Sequence, residues 1–209
     1  MENKTGGGQL RNKERSKLKF LDAVGTILKT HGHAGLKINA IAATAGVDKK
    51  MIYSYFGGLD GLVDEYIRRQ DFWSNAKNDQ APPQITDGGK AIAQQLLLQQ
   101  FDYVLKNEGL QKLLLWRLSE ERSSLRTWTD NQEANGEQLF KYVADIHFGE
   151  NARQFRAIMA IMISGLYYLD LYSMVNGSTF CGIDVKSEEG RSEIEKAIAF
   201  IIDQSYDNL

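Results

Sequence analysis

The chain has 209 residues, 43% hydrophobic and 25% charged, with two prolines and one cysteine. That is length for one to one and a half domains with enough apolar content for a packed core, which excludes a disordered or fibrous protein. With 25 basic against 27 acidic residues the net charge is −2, which taken whole argues against a nucleic-acid partner. Cys181 is the single cysteine, so no intrachain disulfide and no cysteine-rich zinc site can form, as suits a reducing cytoplasm. Residues 1–19 are polar and basic without an apolar segment, unlike a secretory signal. The longest uncharged apolar stretch, Ala157 to Leu169, would rise only about 20 Å as a helix, short of the ~30 Å hydrocarbon core. It reads as a buried helix, and the expected location is the cytoplasm with no membrane contact.

Residues 1–12, with Gly6-Gly7-Gly8, are expected to form a flexible basic arm. Leu18, Leu21, Val24 and Leu28 then recur at three- and four-residue steps, predicting an amphipathic helix from about Lys13 to Thr30 that ends at His31-Gly32. A short helix is expected over Ile38 to Thr44, broken by Gly46, and a second from Asp48, whose carboxylate suits an N-cap. Leu62, Val63, Tyr66 and Ile67 mark the inner face of a helix from about Leu59 to Lys77. Asn78 to Gly89, with Pro82-Pro83, reads as a loop. Asp87 should cap a helix to Leu105, and further helices are expected over 110–121, 124–147 and 150–175. After a loop from Asn176 to Lys186, Ser187 should cap a last helix with Ile194, Ala197, Ile198 and Ile201 as its stripe. No stretch shows sustained period-two alternation, so the expected fold is all-α with about nine helices. The expected parts are an arm over 1–12, a domain of short helices over 13–58 and a helical bundle over 59–209.

The charge is unevenly placed. Residues 1–60 hold ten Lys/Arg and five Asp/Glu, a net of +5; the remainder holds 15 and 22, a net of −7. Inside the positive part, Lys37 to Phe56 reads as two short helices joined at Gly46. Ala42, Ala43 and Ala45 let the helices cross closely, and Val47 and Ile52 fix the crossing from inside. This is what a helix-turn-helix requires. Its outward positions, Lys49, Lys50, Tyr53 and Ser54, offer two cations and two hydroxyls to phosphates and base edges. Tyr55 and Phe56 are expected to turn inward as aromatic anchors.

Ile41-Ala42, Ala45-Gly46-Val47 and Ile52-Tyr53-Ser54-Tyr55-Phe56 resemble the DNA-binding signature of the tetracycline-repressor (TetR) family, over about residues 16–67. The resemblance implies an all-α homodimer with an N-terminal DNA-binding domain and a C-terminal domain for effector binding and dimerisation. By position, Thr44, Lys49, Lys50, Tyr53 and Ser54 match places that face DNA in the family, and Lys37 aligns with a place often held by Ser or Thr. Two residues depart from the pattern. Asp48 replaces a common Ser or Thr, bringing a negative charge near phosphates, and Leu59 stands where a backbone-contacting lysine is common. Lys49, Lys50, Arg11, Lys13, Arg15 and Lys17 are expected to compensate. The partners implied are double-stranded DNA with a near-palindromic operator, a second copy of the chain and a small-molecule effector, with repression as the output.

Other chemistry finds little support. His31 and His33 lack a third ligand nearby, and His147 suits a helix C-terminus. No nucleophile elbow, P-loop or dinucleotide motif is present, so neither an enzyme nor a cofactor or metal is expected. Phe101, Tyr103, Trp116, Trp128, Met159, Met162 and Tyr167 are candidates for an effector pocket, though each also fits a core stripe. Ala157, Ala160, Ile161, Ser164 and Gly165, with Ile194, Ile198 and Ile201, are candidates for half of an intersubunit four-helix bundle. The alternative is a helical ligand-binding protein whose helix-turn-helix serves protein interaction.

Overall fold

A computed structural model of the chain describes residues 6–70, 85–175 and 177–209. It is all-α apart from one short hairpin among those residues, with a helix count close to that expected. Two compact units are separable, one drawn from residues 1–75 and 112–129, the other from 76–111 and 130–209.

In the first unit, α1 (Gly6–His31) buries Phe20, Leu21, Ala23, Val24, Ile27 and Leu28, a single face at helical spacing. Each of these side chains other than Ala23 contributes roughly 1.5–3 kcal/mol on burial. Leu18, expected on this stripe, is exposed, and Phe20 opens the inner face instead. The helix also begins ahead of Lys13, so residues 6–12 of the expected arm are helical; residues 1–5 lie outside the described residues. No proline interrupts this stretch, and a helix nucleated by the Phe20 face extends through it one hydrogen bond at a time.

A 3-10 turn (His33–Gly35) leads to α2 (Ile38–Ala45), α3 (Lys50–Phe56) and α4 (Leu59–Arg69). Gly46 lies in the left-handed region at φ 61°, where it lets Gly46 and Val47 N–H reach the carbonyls of Ala43 and Ala42. Ile41, Ile52, Leu62, Val63, Tyr66 and Ile67 are buried as α1 packs on α2 and α4, and α3 on α4. A Cβ at Gly61 would lie 1.9 Å from the Phe56 carbonyl oxygen, so only glycine lets α4 pass the end of α3 this closely. The expected continuation of α4 to Lys77 falls mostly on 71–84, outside the described residues, as does most of the expected loop with Pro82-Pro83.

Asp87 accepts from Gly89 N at 3.0 Å and Ala91 N at 2.8 Å, which lowers its pKa and caps α5 (Lys90–Lys106). Next come α6 (Glu108–Ser119) and α7 (Ser123–Leu139), which runs through a π-helical turn (Phe140–Ala144) into α8 (Asp145–Phe148). Arg156 spans that turn, pairing with Glu137 at 2.5 Å and Asp145 at 2.6 Å. A 3-10 turn (Gly149–Asn151) precedes α9 (Ala152–Val175). The expected loop from 176 to 186 contains a hairpin, β1 (Thr179–Phe180) and β2 (Ile183–Asp184), too short for a period-two pattern. Ser187 Oγ accepts from Gly190 N at 2.9 Å and caps α10 (Glu188–Asn208), as expected.

The second unit is built on Leu97 and Phe101 of α5, Phe148, Phe155, Met159, Met162 and Leu166, Val185, and Ile198 and Ile202 of α10. The apolar run Ala157–Leu169, expected as a buried helix, is buried on one face and exposed on the other. Its position in a longer helical stretch, Ser123–Val175, makes that stretch apolar enough by length and composition to cross a membrane, a test that helices of soluble cores also pass.

Candidate nucleic-acid interface

The joint between α2 and α3 is built from small and branched side chains, Ala42 and Val47 half-buried and Ile52 fully buried. Filling that joint with aliphatic carbon leaves the polar residues of both helices outside. Lys37, Thr44, Lys49, Lys50, Tyr53 and Ser54, the six residues predicted to face DNA, are all exposed, Tyr53 at 57% despite its ring. An exposed tyrosine on a seven-residue helix contributes nothing to its own core, which leaves its hydroxyl and ring edge free for an outside surface.

Two contacts order this face. Asp48 Oδ1 accepts from Lys50 N at 2.8 Å, so the departure at position 48 is a working cap whose charge is directed at backbone donors. Lys49 Nζ donates to Asn39 Oδ1 at 3.3 Å, tying the start of α3 to α2. Asn39, exposed beside Lys49, was not singled out from the sequence; its place at the second position of α2, one residue after Ile38, was the available signal.

The aromatic anchors are half-buried. Phe56 sits edge-on against Phe20 of α1 with centroids 6.3 Å apart, and Tyr55 lies under Lys13 Nζ at 5.5 Å. Leu59, at the place of the family's lysine, is half-buried and offers no charge. Arg11, Lys13 and Arg15 are exposed on α1, whereas Lys17 is half-buried and paired with Glu14 at 3.2 Å.

A second cluster in the same unit had no local signature. Arg122 pairs with Asp64 at 2.7 Å and Asp60 at 3.2 Å, on α4. Burial disfavours its charged form, but hydrogen bonds and charges from both carboxylates outweigh that and raise its pKa. His33 stacks on Trp116 with centroids 5.1 Å apart and lies 3.6 Å from Glu120, which also accepts from Trp116 Nε1. His33 is therefore part of an aromatic stack holding the turn after α1.

Residues 20–66, from the Phe20 anchor through Tyr66, match a family model described as bacterial regulatory proteins, tetR family. The chain carries a TetR-family DNA-binding domain. The match ends inside α4, so most of the chain lies outside it. No curated protein matches the chain. The TetR-type domain supports a DNA-binding regulator.

Outside the TetR match, the candidate pocket residues divide between the two units. Trp116 and Trp128 are buried in the first, Trp128 with Arg117 over its ring at 5.0 Å. Phe101, Met159 and Met162 are buried in the core of the second, where Tyr103 accepts from Asn107 Nδ2 at 3.1 Å and Tyr167 is half-buried. Of the candidate dimer residues, Ala157, Ala160, Ile161, Ser164 and Gly165 are all exposed on one side of α9, Ile161 at 73%. Ile198 is buried against its own protomer's core and Ile194 packs on it, so neither belongs to an exposed strip; Ile201 is exposed. Phe200, absent from the candidates, is 64% exposed beside it. The helical stripe was read one step off because α5 takes the Ile198–Ile202 edge of α10.

Proposed function

We propose that this protein is a homodimeric, cytoplasmic transcriptional repressor of the TetR type, which binds a near-palindromic operator and releases it when a small molecule occupies the C-terminal part. The observation that carries the reading is the exposure of all six candidate DNA-contacting side chains on one α2–α3 motif inside the residues matched to the family. Lys37, Lys49 and Lys50 supply phosphate contacts; Thr44, Tyr53 and Ser54 supply hydroxyls for base edges and backbone. Arg11, Lys13 and Arg15 add positive charge on α1, in the part of the chain with net +5.

Dimerisation is supported by α9 and α10. Ala157, Ile161, Ser164 and Tyr168 form an exposed strip of small and apolar residues on α9, and Ala197, Phe200 and Ile201 lie exposed on α10. Such residues left in water on two long helices suit burial against a second copy in a four-helix arrangement. A dimer would set two recognition helices about 34 Å apart or somewhat more, matching successive major grooves. Effector release is a coupling of typically 1–3 kcal/mol between ligand and DNA sites.

The test is selection of DNA from a fully randomised duplex pool by the purified protein. An inverted repeat with half-sites about one helical turn apart supports the reading. No enriched sequence, together with recovery of a partner protein through the same motif, would favour a protein-interaction role.

A further inference from the structure

The second unit contains a buried polar centre that the side chains of the described residues do not satisfy. Asp170, on the inner face of α9, is fully buried. One carboxylate oxygen, Oδ1, lies 3.4 Å from Arg191 Nη1 of α10; the other, Oδ2, has no hydrogen-bond partner among the described residues. Arg191 is divided: its Nη2 donates to Asp102 Oδ1 at 3.1 Å, and its guanidinium lies 3.7 Å from the centroid of the Phe101 ring. Asp102 in turn holds Lys106 at 2.9 Å on the exposed side of α5. Next to Phe101, Gln100 is buried with its amide nitrogen also unpartnered among the described residues. Phe101, Met162 and Leu166 provide apolar wall in the same core.

Native interiors rarely leave such groups unmade, because a buried donor or acceptor without a partner loses its hydration and regains nothing. Here an orphan acceptor and an orphan donor belong to two helices that pack on each other, α9 and α5. The charges add a direction. Two carboxylates, Asp170 and Asp102, share one largely buried guanidinium, so the group is short of one positive charge on the buried side when both are ionised. Lys106 is solvent-exposed and screened there.

We infer that Asp170, Gln100 and Phe101 form the polar end of the effector site, and that it takes a small organic cation with N–H donors on an aromatic or apolar body. This rests on the effector-released reading above. The N–H group donates to Asp170 Oδ2, an acceptor on the ligand receives Gln100 Nε2, and the apolar body lies against the Phe101 and Met162 side of the core. Burial raises the Asp170 carboxyl to about 7, with the Arg191 charge and hydrogen bond opposing and Asp102 reinforcing the rise. The site is therefore largely neutral at pH 6 and anionic at pH 8, and a cation should bind better at the higher pH.

The test uses benzamidine as the probe, titrated calorimetrically into the full-length protein, with benzyl alcohol and benzoate as neutral and anionic counterparts. Benzamidine is expected to bind once per protomer, at least tenfold more tightly than either counterpart at pH 8. Its affinity should rise about tenfold from pH 6 to pH 8, as an acid of pKa near 7 ionises. Asp170→Asn, which keeps the shape, should weaken benzamidine about tenfold and remove the pH dependence. If that variant does not fold, Gln100→Met should still weaken the probe severalfold with an unchanged melting curve, and the pH series on the unaltered protein stands independently. No benzamidine binding, equal binding of benzoate, or a pH-independent affinity overturns the inference. A neutral or anionic compound that dissociates the operator complex without sensitivity to Asp170→Asn would leave the effector reading standing and remove this one.

Discussion

The outer face of α2–α3 and the outer strips of α9 and α10 arise in the same way and end with opposite chemistry. Each is what remains outside once a helix has filled its core. On α2–α3 the core is met by Ile41 and Ile52 with Ala42 and Ala45 half-buried, and what is left out is mostly lysine, hydroxyl or amide, with the small side chains of Ala40 and Ala43. On α9 the core takes Phe155, Met159, Met162 and Leu166, yet the exposed side carries Ile161 and Tyr168 alongside Ala157 and Gly165. A polar remainder on a two-helix motif calls for a polyanion; an apolar remainder on a long helix calls for another apolar surface. The difference lets each face be disabled while the other stays intact.

The largest effect is expected at α9 and α10. Ile161→Glu combined with Phe200→Glu should convert the proposed dimer to monomer in sedimentation equilibrium, weakening self-association by roughly a thousandfold, because a charge in a dry interface costs several kcal/mol. Helix content should not change. A dimer of unaltered affinity would show that these strips are not the interface.

Glycines sharpen the comparison. Gly61→Ala should destabilise the protein by about 3 kcal/mol in thermal or denaturant unfolding, since its Cβ would meet the Phe56 carbonyl at 1.9 Å and overpacking of this kind is not relieved by a rotamer change. Gly165→Ala meets no heavy atom within 4 Å among the described residues, so it should stabilise the protomer by up to about 1 kcal/mol through helix propensity. The same methyl should loosen the dimer, and the two readouts should move in opposite directions.

Smaller effects follow. Arg122→Met should cost about 1 kcal/mol, since Asp60 and Asp64 are largely solvated and screening limits the pair. Added salt should shrink the difference between Arg122→Met and the unaltered protein. Lys50→Ala should lower the slope of log affinity against log salt for operator DNA by about 0.9, with little change in sequence preference.

How much was legible in advance follows the same division. The helix-turn-helix was readable because its determinants lie within one short segment: the alanines of α2, the turn at Gly46, the Asp48 cap and the Ile52 anchor. The all-α class and the caps at Asp87 and Ser187 were readable for the same local reason. Periodicity alone leaves the phase open: Leu18 fits the stripe by spacing, and only the packing of α2 and α4 on α1 puts Phe20 inside instead. Ile198 fits both the inner stripe and the dimer candidates, and Phe200 belongs to neither, because α5, far away in sequence, decides which edge of α10 is covered. The stack of His33 on Trp116 and the hold of Arg122 on α4 join residues that no spacing rule connects.

The central claim is that Lys49 and Tyr53 contact DNA from an exposed face that lies outside the buried core. Its most direct test is binding of the Lys49→Ala, Tyr53→Ala double variant to the selected operator by fluorescence anisotropy, with mass and melting measured on the same sample. A loss of roughly a hundredfold or more in affinity, with an unchanged dimer mass and melting temperature, is the predicted result. Operator affinity equal to that of the unaltered protein would contradict the account.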